Sequence, residues 1–113
     1  MGAVEPSSRS VRVESAAGGM RKSEERVAFF SVESPGRRWV FPYGRILFAH
    51  ADGEGHRFFM RTMSHDLWVT GKELWNLIAL FQQERLADIR PGSNEWGTVE
   101  EIEINENPAG MFH

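Results

Sequence analysis

Residues 50–56 read His-Ala-Asp-Gly-Glu-Gly-His and hold two imidazoles and two carboxylates around one turn. The Asp-Gly step predicts a β-hairpin, which would bring His50 and His56 close together across two strands. Imidazole and carboxylate groups are ligands that zinc and iron accept. With His65 near the next strand junction, the chain offers a candidate metal or small-ligand site made of His50, Asp52, His56 and His65.

The same residues have a simpler interpretation as turn chemistry. Asp, Gly and Glu are common at hairpin turns, and the ligand spacing matches no known metal-binding motif. His65 and Asp66 are neighbours on a strand and point to opposite faces, so they do not form a catalytic dyad. The chain has no cysteine, no G-x-S-x-G motif and no G-x-G-x-x-G motif. We therefore expect a binding protein, not an enzyme, and no cofactor.

Aromatic residues are numerous in this chain, which has four Trp, eight Phe and one Tyr. Several lie beside turn residues, where side chains tend to be exposed, and exposed aromatic patches tend to mark protein interfaces. The candidates for an interaction surface are Trp39, Phe41, Tyr43 and Trp96. The function that the sequence favours is a protein-interaction or oligomerisation module, with binding of a small ligand or metal at residues 50–56 as the alternative.

One short segment interleaves basic and aromatic residues, as proteins that bind single-stranded nucleic acid do. It contains Arg57, Phe58, Phe59 and Arg61. The formal net charge of the chain is −3, and there is no basic run. We therefore expect a protein partner or self-association and no nucleic acid.

Length and composition favour a single small domain. A chain of 113 residues is near the commonest domain size. No apolar run approaches the roughly 20 residues of a membrane span, and no apolar core of signal-peptide type is found near residue 1. Together with the lack of cysteine, this predicts a cytoplasmic protein that does not associate with membranes.

Strand signals dominate residues 27–69. Ser34-Pro35-Gly36-Arg37 predicts a type II turn between a strand at 27–33 and a returning strand at 38–41. Residues 45–51 are apolar on both faces and predict an interior strand, which the hairpin turn at 52–55 joins to another strand at 56–62. Short strands at 67–69 and around 102–104 complete the pattern.

A helix is expected after these strands. Thr70 and Glu73 have the spacing of a capping box, and an apolar stripe follows at Leu74, Leu77, Ile78 and Phe81. This spacing predicts a helix that begins near residue 71 and ends between 85 and 88, with Trp75 and Phe81 in the core. The predicted fold class is α+β, an antiparallel meander of about five to six short strands with one amphipathic helix packed on one face. Residues 1–26 and 107–113 are predicted to be tails, and residues 27–106 the domain.

Overall fold

The computed structural model describes residues 18–107, and the structural statements below refer to these residues. They form nine strands, one short 3-10 turn and one α-helix. In chain order these are β1 (Gly19–Lys22), β2 (Phe29–Ser34), β3 (Arg37–Pro42), the 3-10 turn (Tyr43–Arg45), β4 (Ile46–Ala51), β5 (Arg57–Thr62), β6 (His65–Lys72), α1 (Trp75–Gln82), β7 (Leu86–Arg90), β8 (Gly92–Asn94) and β9 (Gly97–Glu106).

The β2–β3 hairpin follows from its turn residues. Ser34 lies opposite Arg37, so Pro35 and Gly36 alone make the connection. Gly36 has a φ of 76°, which a residue without a side chain adopts at little cost and which a type II turn needs at this position. The prediction of a turn here, and of a strand on each side of it, is confirmed.

The first sheet, which we call sheet A, has the strand order β1-β7-β2-β3. β7 pairs with β1 in antiparallel fashion and with β2 in parallel fashion, so it lies between two strands that are close together in sequence. Met20 on β1 is fully buried. The tail predicted for residues 1–26 is therefore wrong where it covers β1, because one buried methionine and pairing with β7 hold that segment in the sheet. Residues 1–17 and 108–113 lie outside the described residues.

The second sheet, sheet B, has the strand order β4-β5-β6-β9-β8 and is antiparallel throughout. β4, β5 and β6 follow one another as a meander, as the sequence predicts. The turn between β4 and β5 is organised by Asp52, whose Oδ1 accepts the backbone N–H groups of His56 at 2.8 Å and Arg57 at 3.2 Å. The hairpin predicted at residues 52–55 is thus confirmed.

The core lies between the inner faces of the two sheets and is closed by α1. Leu77 and Leu80 of α1 are buried. Phe81 contacts both sheets, with its ring centroid 4.9 Å from that of Phe30 on β2 and 5.7 Å from that of Phe58 on β5. The α+β class, with mostly antiparallel strands and a single helix in the described residues, is confirmed. The strands number nine in two sheets, where the sequence predicts five to six in one meander.

The capping box predicted from Thr70 and Glu73 is not formed. Thr70 and Gly71 still belong to β6, where they pair with Glu101 and Val99 of β9. The chain leaves the strand through Glu73, which has a φ of 57°, and α1 begins only at Trp75. The long β6–β9 ladder therefore overrides the local helix signal.

The helix is also shorter than predicted and ends at Gln82. Glu84, with a φ of 57°, turns the chain away from the helix and into β7. Trp75, predicted to lie in the core, has 46% of its surface exposed and packs against Gly55, where a Cβ atom would lie 2.9 Å from the indole ring. Within residues 18–107, no helix is long and apolar enough to cross a membrane.

Candidate functional site

The outer side of sheet B carries a row of large side chains that faces away from the core. His50, Phe59, Trp68 and Glu103 lie opposite one another on β4, β5, β6 and β9. Their neighbours on each strand point inward, because side chains alternate along a strand. Those inward neighbours include the buried residues Phe58, Met60, Leu67, Val69 and Ile102.

The rings of this row contact one another. The centroid of Phe59 lies 4.4 Å from that of Trp68, 5.4 Å from that of His50 and 5.8 Å from that of Phe48. Trp68 and Phe48 remain 44% and 48% exposed, whereas Phe59 between them is nearly buried. We call this surface, formed by Phe48, His50, Phe59 and Trp68, the aromatic face.

Charged side chains flank the aromatic face on two different strands. Arg57 and Arg61 lie on β5 and point outward with Phe59, while Glu101 and Glu103 point outward on β9. The guanidinium of Arg61 lies 5.8 Å from the centroid of Phe59. Positive side chains therefore lie on β5 on either side of Phe59 along the strand, and negative side chains lie on β9 beyond Trp68.

Asp66 and Arg61 form an ion pair at one corner of the aromatic face. Arg61 donates two hydrogen bonds of 2.9 Å to the two carboxylate oxygens of Asp66, and Asn107 donates a third at 3.0 Å. The hydrogen bonds from Arg61 are the largest cause that lowers the pKa of Asp66 below its ordinary value, and the bond from Asn107 adds to them. Asp66 is thus an anion whose charge Arg61 balances within the same surface.

The four residues of the predicted metal site are not brought together as ligands. His50 packs on Phe59, and the Nδ1 atom of His56 faces Glu54 at 3.4 Å, outside the aromatic row. His65 lies against the rings of Trp39 and Phe41, at 5.1 and 6.0 Å. In residues 18–107, no group of three or more His, Cys, Asp or Glu side chains could hold a metal ion.

Asp52 is the fourth of these residues, and its carboxylate accepts hydrogen bonds from the backbone of its own turn. Desolvation raises the pKa of Asp52, but the backbone N–H groups of Arg57, His56 and Gly55 act against it, and the net effect is a pKa below the ordinary value. A carboxylate that already accepts backbone hydrogen bonds is a structural turn residue. The interpretation of residues 52–55 as turn chemistry accounts for this geometry.

The aromatic residues predicted to form the interaction surface are more buried than expected. Phe41 is only 6% exposed and stacks on Phe30, while Trp39 is half-buried and donates from Nε1 to Ser34. Tyr43 is also half-buried and donates its hydroxyl to the carbonyl of Leu86 at 2.8 Å. Trp96, half-buried at the β8–β9 turn, has the ammonium of Lys22 at 5.4 Å from its ring. Trp39 and Phe41 lie on β3 and pack against His65 of sheet B, so these rings do not form an exposed patch, and their part in an interaction surface stays a prediction.

Sequence reasoning missed Phe48 and Trp68 as surface residues. Residues 45–51 predict an interior strand, but β4 is the edge strand of sheet B and its Phe48 and His50 are exposed. Trp68 lies between Leu67 and Val69, which are both buried, so strand alternation alone places it outward. This alternation is the one signal in the sequence for the orientation of Trp68. It is hard to recognise because Leu67, Trp68 and Val69 are all apolar.

Comparisons with known proteins give no relative. No protein-family model, curated protein or solved structure matches this chain.

Two depressions near these surfaces differ in character. A cleft of about 150 Å³ beside the aromatic face is lined by Arg57, Phe59 and Trp68 together with His50, Asp52 and Phe58. A larger depression of about 530 Å³ lies between β1 and the β8–β9 turn, where Lys22 and Arg85 alternate with Glu24 and Glu95. The first is apolar and continuous with the aromatic face, whereas charges of both signs alternate around the second.

Proposed function

We propose that this protein is a non-catalytic oligomerisation module that associates with a second copy of itself through the aromatic face. The observation that carries the proposal is the contact between Phe48, Phe59 and Trp68 on the outer face of sheet B, where Phe48 and Trp68 are half exposed. We further propose that this association takes place in the cytoplasm, since the chain carries no cysteine.

The anatomy of the aromatic face supports a protein partner. Protein interfaces have an apolar centre rich in Trp, Phe and Arg, surrounded by a polar rim. Phe59 and Trp68 lie at the centre, and Arg57, Glu101 and Glu103 lie around them. Tight contact with a second apolar surface would remove these rings from water, which is the main driving force for association.

Single-stranded nucleic acid is a weaker fit to the same face. Its bases stack on aromatic rings of open sheets, but its phosphates need a basic track. Here Glu101 and Glu103 lie on the strand beside Trp68, and the chain as a whole has a net charge of −3. These carboxylates would repel a phosphate backbone, whereas they can pair with arginines of a protein.

Binding of a small ligand remains the second candidate, and the cleft beside His50 favours it. The cleft joins an imidazole, a guanidinium and two aromatic rings, from His50, Arg57, Phe59 and Trp68. Its volume of about 150 Å³ is small, since ligand pockets usually span about 300–1,000 Å³. We rank it second because only a fragment-sized molecule would fit.

Sedimentation velocity on the full chain over a micromolar concentration series tests the proposal. We expect the wild type to form a dimer, and Trp68→Ser to remain monomeric at concentrations where the wild type is dimeric. Trp75→Ser is the matched control, since Trp75 is exposed to the same degree, 46% against 44%, but lies on α1 outside the aromatic face. It should dimerise as the wild type does.

Each other outcome counts against the proposal. A wild type that stays monomeric throughout the series overturns it, and so does equal dimerisation of Trp68→Ser and the wild type. If Trp68→Ser fails to fold, Phe48→Ser, a second exposed residue of the same face, replaces it in the comparison. Circular dichroism on each variant separates loss of association from loss of fold.

A further inference from the structure

The aromatic face carries its charges in an arrangement that is complementary to itself. Three rows of residues that lie opposite one another cross it from β5 to β9. The first row is formed by Arg57, Thr70 and Glu101. Trp68 lies on β6, between the arginines of β5 and the glutamates of β9. Positive and negative side chains therefore occupy opposite sides of a strand that carries the largest exposed ring.

We propose that the second copy binds with a two-fold axis along β6, so that β9 of each copy lies over β5 of the other. Arg57 then meets Glu101 of the second copy, and the same pair forms again on the other side of the axis. Trp68 lies next to its own counterpart at the centre, while Phe59 lies over Glu103 and β4 lies over β8 of the second copy. This arrangement rests on the proposed function, and it adds the orientation of the partner and the residues that select it.

The alternative two-fold axis, across the strands, is disfavoured by charge. It would place β5 over β5, and the arginines of one copy, Arg57 and Arg61, over those of the other. Like charges brought together in an interface are strongly unfavourable and exclude wrong arrangements. An isologous contact must be complementary to itself, and the axis along β6 satisfies this condition for Arg57 and Glu101. The same axis places Asp66, whose charge Arg61 already balances, and Lys72, at the end of β6, over their own counterparts.

Among the charged residues of these three rows, Arg57 and Glu101 are left for a partner. Arg61 is held by Asp66, and Glu103 accepts a hydrogen bond of 3.0 Å from Asn105. Arg57 and Glu101 are both exposed, and neither makes an ion pair with another described residue. They lie two strands apart on β5 and β9, roughly 10 Å at the usual strand spacing, and no ion pair joins them.

Charge reversal tests the arrangement. Arg57→Glu and Glu101→Arg are prepared separately, and sedimentation velocity measures the self-association of each one and of their equimolar mixture. Each variant alone places two like-charged pairs in its own dimer, so we expect its association constant to fall about tenfold or more. In the mixed dimer both pairs are again opposite in charge, so the mixture should associate as the wild type does. The double variant Arg57→Glu with Glu101→Arg should also recover.

A matched control keeps the net charges equal. Arg37→Glu and Glu25→Arg reverse exposed charges on β3 of sheet A and in the connection between β1 and β2, outside sheet B. These two variants should associate as the wild type does, alone and mixed.

The outcomes separate this inference from the proposed function. If Trp68→Ser is monomeric but neither Arg57→Glu nor Glu101→Arg weakens the dimer, the aromatic face is the interface and the orientation is wrong. If both reversals weaken the dimer but neither the mixture nor the double variant recovers, the pairing is also wrong. If the wild type is monomeric, the proposed function fails, and this inference with it.

Discussion

Arg61 and Asp66 face each other across the β5–β6 hairpin and are joined by two hydrogen bonds of equal length, 2.9 Å. The two residues lie opposite each other in the ladder, so the planar guanidinium meets both carboxylate oxygens at once. The same guanidinium lies over the edge of the aromatic face, 5.8 Å from the centroid of Phe59. The pair thus fixes one corner of the surface through which we expect the protein to associate.

Replacing Asp66 by Asn should lower the free energy of unfolding by about 1 kcal/mol at pH 7, since the pair is partly buried and bidentate. The pKa of Asp66 is lowered in the folded protein. The contribution of the Asp66 carboxylate to stability is therefore fully present above its ordinary pKa of about 4. It is lost as the pH falls through the lower pKa of the folded protein. Urea denaturation at neutral and acidic pH should show the wild type and Asp66→Asn converging in acid.

The control for this change is Glu25→Gln, at an exposed carboxylate between β1 and β2. It should leave the free energy of unfolding unchanged at both pH values. A difference between Asp66→Asn and the wild type that is equally large in acid would show that the amide disturbs packing, and that the ion pair is not the cause.

Tyr43 is the one tyrosine of the chain, so its ionisation can be followed without interference. Burial raises the pKa of Tyr43 to about 12 from 10, and the nearby carboxylate of Glu84 contributes in the same direction. Its contribution to stability is present below pH 10 and is lost as the pH rises through about 12. A spectrophotometric titration should place the tyrosinate transition near pH 12 in the folded protein and near 10 in urea.

Tyr43→Phe removes the hydroxyl and keeps the ring, so it separates their contributions to stability. The ring still packs against Phe30 and Phe81, but the carbonyl of Leu86 loses its donor. We expect a loss of about 1 kcal/mol at pH 7 by urea denaturation, and a weaker fall in stability above pH 10 than the wild type shows. A folded-state transition near pH 10 in the wild type would contradict the burial of this hydroxyl.

Asp88 and Arg90 form a buried ion pair on β7, with 2.7 Å between Asp88 Oδ2 and Arg90 Nε and only 6% of each side chain exposed. Asp88→Ala leaves the guanidinium of Arg90 in a buried position with Glu33, at 3.7 Å, as its remaining counter-ion. We expect a loss of about 3 kcal/mol in urea denaturation. The double variant Asp88→Leu with Arg90→Met should cost less than Asp88→Leu and Arg90→Met measured singly and added, because no lone buried charge remains. Strict additivity would show that the two residues do not depend on each other.

Gly71 lies where the β6–β9 ladder shifts its register, and a side chain there would meet the main chain of β9. A Cβ atom at Gly71 would lie 1.9 Å from the carbonyl oxygen of Thr98. Gly71→Ala should therefore lower the free energy of unfolding by about 3 kcal/mol, since the strands must separate locally. Gly53→Ala is the control, because a Cβ atom there meets nothing within 4 Å. A thermal melt that shows equal loss for both variants would contradict this account of the bulge.

The sequence predicts those parts of the fold that depend on short segments of the chain. Pro35-Gly36 and the turn at Asp52 specify hairpins through local backbone preferences, so both were found from sequence. The beginning of α1 was not predicted, because Thr70 pairs with Glu101, a residue far along the chain, and that pairing prevails over a capping box. β7 was missed for the same reason, since its place between β1 and β2 depends on contacts between distant segments.

The candidate site was less predictable than the fold. Phe48 and Trp68 belong to strands with apolar residues on both faces, and local sequence does not say which face meets the core. That choice is made by the position of β4 at the edge of sheet B and by the pairing of β6 with β9. By contrast, the turn before Trp39 and Phe41 predicts exposed rings, and their burial comes from packing against residues distant in sequence, such as His65.

The position of β7 in sheet A also dictates how this protein folds as it is synthesised. β1 and β2 leave the ribosome before β7, the strand that lies between them, because β2 ends at Ser34 and β7 begins only at Leu86. Until that strand emerges, Met20 and Val32 have no partner from β7 to cover them. Contacts between distant segments form slowly, and the nascent chain exposes apolar surface while it waits. Sheet A is therefore completed only after residue 90 has been made, and premature termination before residue 86 would leave a product without the strand between β1 and β2.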